Sequence, residues 1–250
     1  MDYDSDMPLG LAERRRLRRR FERSLSRYAQ EAFVQEEMAN RLAEALRSFP
    51  SPQKVLEIGP GVGLLTSRLR SLWPDVFYLA LDLVPGCGPY LRPFGVHFVV
   101  ADAEELSWLR GEFDLIVSNA TFQWFCQPEQ SLNSYYQLLA PGGILAFTTF
   151  GPETMKELRF DRNFLRSLED WQKMRCSFFP LVEKRWIKRL FFSTPLEALK
   201  HIRQTGALGY LPARWSLREL RIIFDAYLHL KEVRGFPLTY EPILLIWEKK

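Results

Sequence analysis

The chain has 250 residues, 47% of them hydrophobic, and a formal net charge of +4, which is enough for one sizeable core and argues against a disordered protein. No apolar run approaches the ~20 residues of a membrane span, and the acidic start Met1–Asp6 lacks the basic-then-apolar pattern of a secretory leader. Three scattered cysteines (Cys87, Cys126, Cys176) without C-x-x-C spacing, and three single histidines, argue against disulfides and metal sites and for a reducing cytoplasm.

Residues 11–47 read as helix, because Leu25, Tyr28, Ala32, Ala39, Leu42 and Leu46 recur near helical spacing. Ser48 to Pro52 breaks the pattern. Strands are predicted at 54–58, 76–83, 96–100, 113–118 and 144–149, with helices at 62–72 and 130–139 between them. Pro85, Gly86, Gly88 and Pro89 make a regular helix improbable after the second strand. Beyond the fifth strand, residues 153–175 read as helix, 182–192 as a strand, 196–205 and 217–231 as helices, and 238–247 as a final strand. The alternation predicts an α/β fold, a doubly wound, mostly parallel seven-stranded sheet in one domain. Within it, 1–47 is an N-terminal helical segment, 48–150 the core, 153–180 a helical cap over the site and 181–250 the C-terminal part.

The stretch Val55–Gly63 reads V-L-E-I-G-P-G-V-G, a strand running into a glycine-rich turn that opens a helix. Glycines let the backbone turn sharply and approach a ligand closely. A dinucleotide site would need G-x-G-x-x-G, but Gly59, Gly61 and Gly63 are evenly spaced and Leu64 takes the dinucleotide position. Glu57 would repel a pyrophosphate and suits a ligand with a positive amine. E-x-G-x-G-x-G resembles motif I of class I S-adenosylmethionine-dependent methyltransferases.

Ligands in such sheets bind outside the carboxyl ends of the strands. Acids fall at three of those ends: Glu57, Asp82 and Asp102. The resemblance implies that Asp82, with Leu83 beside it, holds the ribose hydroxyls. Asp102, with Ala103 beside it, would receive the adenine amino group, and Glu57 would lie near the methionyl amine. Asn119, at the end of the fourth strand, falls where the transferable methyl must emerge. Phe122 and Trp124 follow closely, and aromatic faces attract a sulfonium by about 0.5–2 kcal/mol.

Phe147-Thr148-Thr149-Phe150-Gly151-Pro152-Glu153-Thr154-Met155-Lys156-Glu157-Leu158-Arg159 resembles the segment after strand five in malonyl-acyl-carrier-protein O-methyltransferases of biotin synthesis. Also similar are the spacing of Phe21, Tyr28 and Gln35, the run Ser118–Trp124, the segment from Leu199 to Ala207, and the closing Phe236–Tyr240. The likeness covers most of residues 21–247 and is poor over 160–190. It implies methyl transfer from S-adenosylmethionine to a malonyl carboxylate, with S-adenosylhomocysteine as product. Tyr28 and Trp124 are the acceptor-side candidates. A basic surface, with Arg15, Arg16, Arg19, Arg20, Lys200 and Arg203 as candidates, would receive the acidic carrier protein.

Two other readings compete. A small carboxylate such as aconitate could be the acceptor, against which stand the arginine-rich N-terminus and the F-G-P-E-T stretch. An RNA-binding or assembly protein on the same scaffold would use the arginine run for phosphates. No aromatic stacking platform accompanies those arginines.

Overall fold

The computed structural model describes residues 11–158, 164–205 and 217–250. Arg159, Gly206 and Ala207 lie outside them, as do the side chains of Arg14, Arg15 and Arg16. Nine strands occur among the described residues: β1 (Lys54–Ile58), β2 (Phe77–Asp82), β3 (His97–Val100), β4 (Phe113–Asn119), β5 (Leu139–Phe150), β6 (Phe178–Arg185), β7 (Lys188–Phe192), β8 (Phe236–Tyr240) and β9 (Pro242–Lys249). Seven form one sheet in the order β3-β2-β1-β4-β5-β9-β6, and β7 and β8 pair separately. Only β9 runs against its neighbours in the large sheet.

The helices are α1 (Leu11–Glu31), α2 (Phe33–Leu46), α3 (Leu64–Leu72), α4 (Gly88–Leu91), α5 (Pro128–Leu138), α6 (Leu168–Met174), α7 (Pro195–Gln204) and α8 (Leu217–Leu228). The central strands are apolar on both faces, as a sheet covered on both sides requires. Leu56, Ile58, Ile116 and Phe147 feed one core, which α5 and α6 cover. Val55, Ala80, Val117 and Ala146 feed the other, beneath α2 and α3. A third cluster joins α2, α7, β8 and the segment after β5 through Met38, Ile202, Leu238 and Leu158. The strand order reverses between β1 and β4, which opens a crevice at their carboxyl ends.

Four expectations are corrected. The single helix over 11–47 is two, broken at Ala32 (φ −82°, ψ 41°), so that α2 lies on α3 while α1 swings onto α7. Residues 153–175 are not one helix, because Gly151 and Met155 donate their backbone amides to Glu241 and Thr239, leaving among the described residues a short 3-10 turn at Lys156–Leu158 before α6. The strand over 182–192 is two, since the chain leaves β9 at Arg185 and crosses to β8. The final strand also splits at Glu241, where Pro242, which lacks an amide donor, opens β9. The segment after β2 is irregular, with 3-10 turns on either side of α4.

Candidate active site

The β1–α3 turn is built from glycines with positive φ: 65° at Gly59, 56° at Gly61 and 87° at Gly63. Their surroundings differ. A Cβ at Gly59 would stand 2.3 Å from Thr121 Oγ1, and one at Gly63 would stand 2.6 Å from Phe94. At Gly61 it would meet nothing nearer than Phe21 at 4.0 Å. Gly59 and Gly63 are therefore glycines for packing as well as for φ, whereas at Gly61 the positive φ alone calls for glycine.

Asp82 braces that turn. Its Oδ2 accepts from the Gly61 amide at 3.1 Å and its Oδ1 from the Val84 amide at 2.9 Å. Burial pushes its carboxyl above the usual range, and these backbone donors oppose the shift. A cleft of about 770 Å³, its open mouth included, runs past Asp82, Leu83, Asp102, Ala103 and Gly59 to Trp124. Asp102 Oδ1 accepts from the Glu104 amide at 2.9 Å, which shapes the wall after β3. Glu104 in turn receives the amides of Cys126 and Gln127. Arg18 and Phe21 of α1 close one side.

Four predicted cofactor residues do not line the cleft: Gly61 and Gly63, which shape the turn, and Glu57 and Asn119, whose side chains are engaged elsewhere. Glu57 is 1% exposed and is not among the residues lining the cleft. Its Oε2 accepts from Thr66 Oγ1 at 2.6 Å and Tyr78 Oη at 2.7 Å, so it ties β1 to α3 and β2 beneath the glycine turn. Burial pushes its carboxyl up to about 7, against the pull of those hydroxyls. Asn119 is likewise turned away. Its amide donates to the Gln35 carbonyl at 3.0 Å and its Oδ1 accepts from Thr148 at 2.7 Å, clamping α2 to the sheet. The sequence put both at the cofactor, but strand-end position does not say which way a polar group turns.

Behind the cleft lies an inner cavity of about 520 Å³, its mouth included. Tyr28, Gln35, Gln123, Thr154, Thr205 and Tyr240 give it a neutral polar lining. Phe21, Ala120 and Trp124 line both spaces, so they form the wall where cleft and cavity meet. Ala120 holds φ at 54°, which an alanine adopts only under constraint. The constraint is visible: its amide donates to the Thr148 carbonyl at 3.0 Å and its carbonyl accepts from Gln123 Nε2 at 2.6 Å. Met155, also on the cavity wall, holds φ at 57°.

Tyr28 and Trp124 both line the inner cavity. Tyr28 is buried, and desolvation with the nearby Asp82 carboxylate holds its phenol well above the usual range, so it stays protonated. Sequence reasoning did not single out Gln123, Thr205 or Tyr240 as site residues. The even spacing of Phe21, Tyr28 and Gln35, seven residues apart, was the legible signal for this wall, and all three line the cavity. The segment predicted as a cap divides: Thr154, Met155, Phe164 and Leu165 line the cavity, whereas Trp171 of α6 is buried in the main core against Phe147.

A family model described as a methyltransferase domain matches residues 29–201. A malonyl-[acyl-carrier protein] O-methyltransferase from Chlorobium phaeovibrioides is 34% identical over 96% of this chain and 98% of its own length. One of the same name from Calditerrivibrio nitroreducens is 34% identical over 89% and 91%. Among solved structures, the N-methyltransferase NodS from Bradyrhizobium japonicum, in complex with S-adenosyl-L-homocysteine, superposes with a TM-score of 0.55. That match covers 93% of this chain and 97% of that one at 14% identity, a likeness of fold.

Proposed function

Because the chain belongs to the malonyl-[acyl-carrier protein] O-methyltransferase family, we propose that it methylates the free carboxylate of a malonyl thioester on acyl carrier protein. The product is the malonyl methyl ester that primes pimeloyl and hence biotin synthesis. The observation that carries this reading is the shared wall: a cleft lined by Asp82 and Asp102 at the strand ends meets a neutral polar cavity at Phe21, Ala120 and Trp124.

S-adenosylmethionine held in the cleft would supply an electrophilic methyl group, with S-adenosylhomocysteine as the by-product. The chain's residues bind and orient. Asp82 would take the ribose hydroxyls, Leu83 and Ala103 would flank the adenine, and Asp102 would receive its amino group. Gly59, Gly61 and Gly63 keep the backbone low enough for the methionyl end, and Glu57 and Asn119 act from behind by holding the turn and the β4 end in place. Trp124 and Phe21 present aromatic faces to the sulfonium.

The acceptor carboxylate is ionised at neutral pH, so no base is required. The work of the inner cavity is to strip water from that carboxylate and aim one oxygen along the methyl–sulfur axis. Tyr28 is a protonated donor for this purpose. Neutralising the charged end makes the chain acceptable to elongation machinery that handles apolar acyl groups.

The carrier protein docks on basic residues around the cavity. Arg27 precedes the cavity-lining Tyr28, and Arg203 lies two residues before the cavity-lining Thr205. Arg19, Lys200 and Arg203 are exposed, Arg20 is half-buried, and Arg15 and Arg16 lie on the same helix. Among the described residues no helix is long and apolar enough to cross a membrane, and none form a metal-binding cluster. The reading places the reaction in the cytoplasm. Incubation with S-adenosylmethionine and malonyl-carrier protein, malonyl-CoA or aconitate tests it by mass spectrometry. A methyl ester on the malonyl group is expected, and methylation of aconitate alone would overturn the assignment.

A further inference from the structure

The inner cavity must hold a carboxylate, yet its described lining residues are all uncharged. One basic group stands directly behind that lining. His201 of α7 is 3% exposed, with its Nε2 3.1 Å from the Tyr240 hydroxyl and its Nδ1 3.3 Å from Glu31 Oε2. Tyr240 of β8 lines the cavity and is 1% exposed. Glu31 closes α1, the helix that carries Tyr28. The three residues form one chain of polar contacts from α1 through α7 to the cavity wall, a constellation spread over some two hundred positions of sequence.

We propose that Glu31, His201 and Tyr240 form a proton-linked relay in which His201 is a positioning residue that turns the Tyr240 hydroxyl toward the acceptor carboxylate. The inference rests on the proposed function and names the group that recognises its charged substrate. With no acceptor bound, His201 is neutral. Glu31 accepts the Nδ1 proton, and the bare Nε2 accepts the Tyr240 hydroxyl proton. Burial favours this state, lowering the pKa of His201 against the opposing pull of Glu31. A carboxylate entering the cavity needs a donor. One proton taken from solvent onto Nε2 reverses that hydrogen bond: the imidazolium donates to Tyr240 Oη, and the Tyr240 proton is freed for the carboxylate. Negative Glu31, positive His201 and the negative substrate then alternate. Methylation removes the substrate's charge and the proton returns to solvent, so none is consumed over the cycle.

The surroundings leave little else to titrate against His201. From α2 the Phe33 ring stacks on the imidazole at 6.3 Å, and from β7 the Phe192 ring lies at 5.2 Å. From α7 itself, the Gln204 amide, oriented to satisfy both its atoms, donates to Glu31 Oε1 at 3.1 Å, while Lys200 and Arg203 are exposed. Tyr240 feels Tyr227, Glu157 and Tyr28, of which the phenols are held protonated by burial.

Calorimetric binding of a malonyl thioester of pantetheine to the complex of the full chain with S-adenosylhomocysteine, in two buffers of different ionisation enthalpy, reads proton uptake. Uptake approaching one proton is expected above the pKa of free His201. In steady state, the acceptor KM should rise roughly tenfold from about pH 6 to about pH 9 with kcat changing little. In His201→Gln, whose amide does not titrate, KM should be flat across that range and proton uptake lost. Tyr240→Phe should raise KM about tenfold, also without uptake. Cofactor affinity should be unchanged in both variants, which separates the relay from misfolding. Wild type that makes the ester with no proton uptake, or with the same KM profile as His201→Gln, overturns the relay alone. Wild type that makes no malonyl ester overturns the proposed function and the relay with it.

Discussion

The two halves of the site are built by different means. The cofactor cleft is a product of backbone. Three glycines set the turn, and Asp82 stitches it by accepting amides from Gly61 and Val84. Its parts come from the carboxyl ends of adjacent parallel strands, so the sheet itself brings them together. The inner cavity is a product of side chains on elements far apart in sequence: α1, α2, the 3-10 turn after β4, the segment after β5, α7 and β8. The difference teaches that the cleft is fixed by the sheet except on the side that Arg18 and Phe21 of α1 close, whereas the cavity depends on whether α1 and the later segments dock. Substrate choice can therefore vary at cavity residues away from the shared wall without disturbing the cleft.

The comparison breaks most readily at Asp82. On the proposed reading Asp82→Ala removes the partner for two ribose hydroxyls, and it leaves two amides without their acceptor. Two charge-assisted hydrogen bonds contribute about 3–6 kcal/mol, so cofactor affinity should fall roughly a thousandfold. Calorimetry on folded protein checks this, and an unchanged affinity would show that the cleft is not the cofactor site.

Glu57 sharpens the comparison, because it supports the cleft without lining it. Its folded carboxyl is pushed up to about 7 from an ordinary 4.5. The folded state thus holds the proton more tightly than the unfolded chain. Stability from this group is present below about pH 4.5 and is lost as pH rises through about 7. The loss is about 3 kcal/mol. Urea unfolding of wild type and Glu57→Gln at both ends of that window measures it. The variant should lack this part of the decline. Equal declines would mean that Glu57 titrates normally.

How much of this was legible follows the same division. The glycine turn, Asp82 and Asp102 could be read from one strand and the next, because a parallel sheet converts sequence order into spatial order. The direction of Glu57 and Asn119 could not, since each is settled by a hydroxyl or carbonyl on another element. The break at Ala32 was hidden because both helices keep apolar spacing, and only tertiary packing separates them. Residues 153–175 carry helical spacing, yet β8 and the β8–β9 junction take their first amides. Tyr240 and His201 gave no local signal. They meet only after α7 packs against β8.

Tyr28→Phe tests the cavity side. It keeps the ring that packs against Phe21 at 5.2 Å and removes one hydroxyl. Acceptor KM should rise about tenfold, the value of one hydrogen bond to a charged group, while cofactor affinity stays within about twofold. A loss of cofactor affinity as large as that of acceptor affinity would erase the boundary between the halves.

The smallest effect belongs to the surface. α1 packs against α7, and Arg19 and Arg23 on the first and Lys200 and Arg203 on the second are exposed. Exposed charges contribute little individually, about 0.2–1 kcal/mol, and salt screens them beyond ~8 Å at physiological ionic strength. Reversing all four to Glu should raise the KM for malonyl-carrier protein about three- to tenfold at low salt, and less as salt is added. Turnover of malonyl-pantetheine, which has no acidic protein to dock, should change by less than about twofold. The contrast between the acceptors is the informative quantity. Equal losses on both would place the defect in the cavity, because a fault there cannot tell a tethered malonyl group from a free one. A loss confined to the carrier-linked substrate that fades with salt separates docking from recognition.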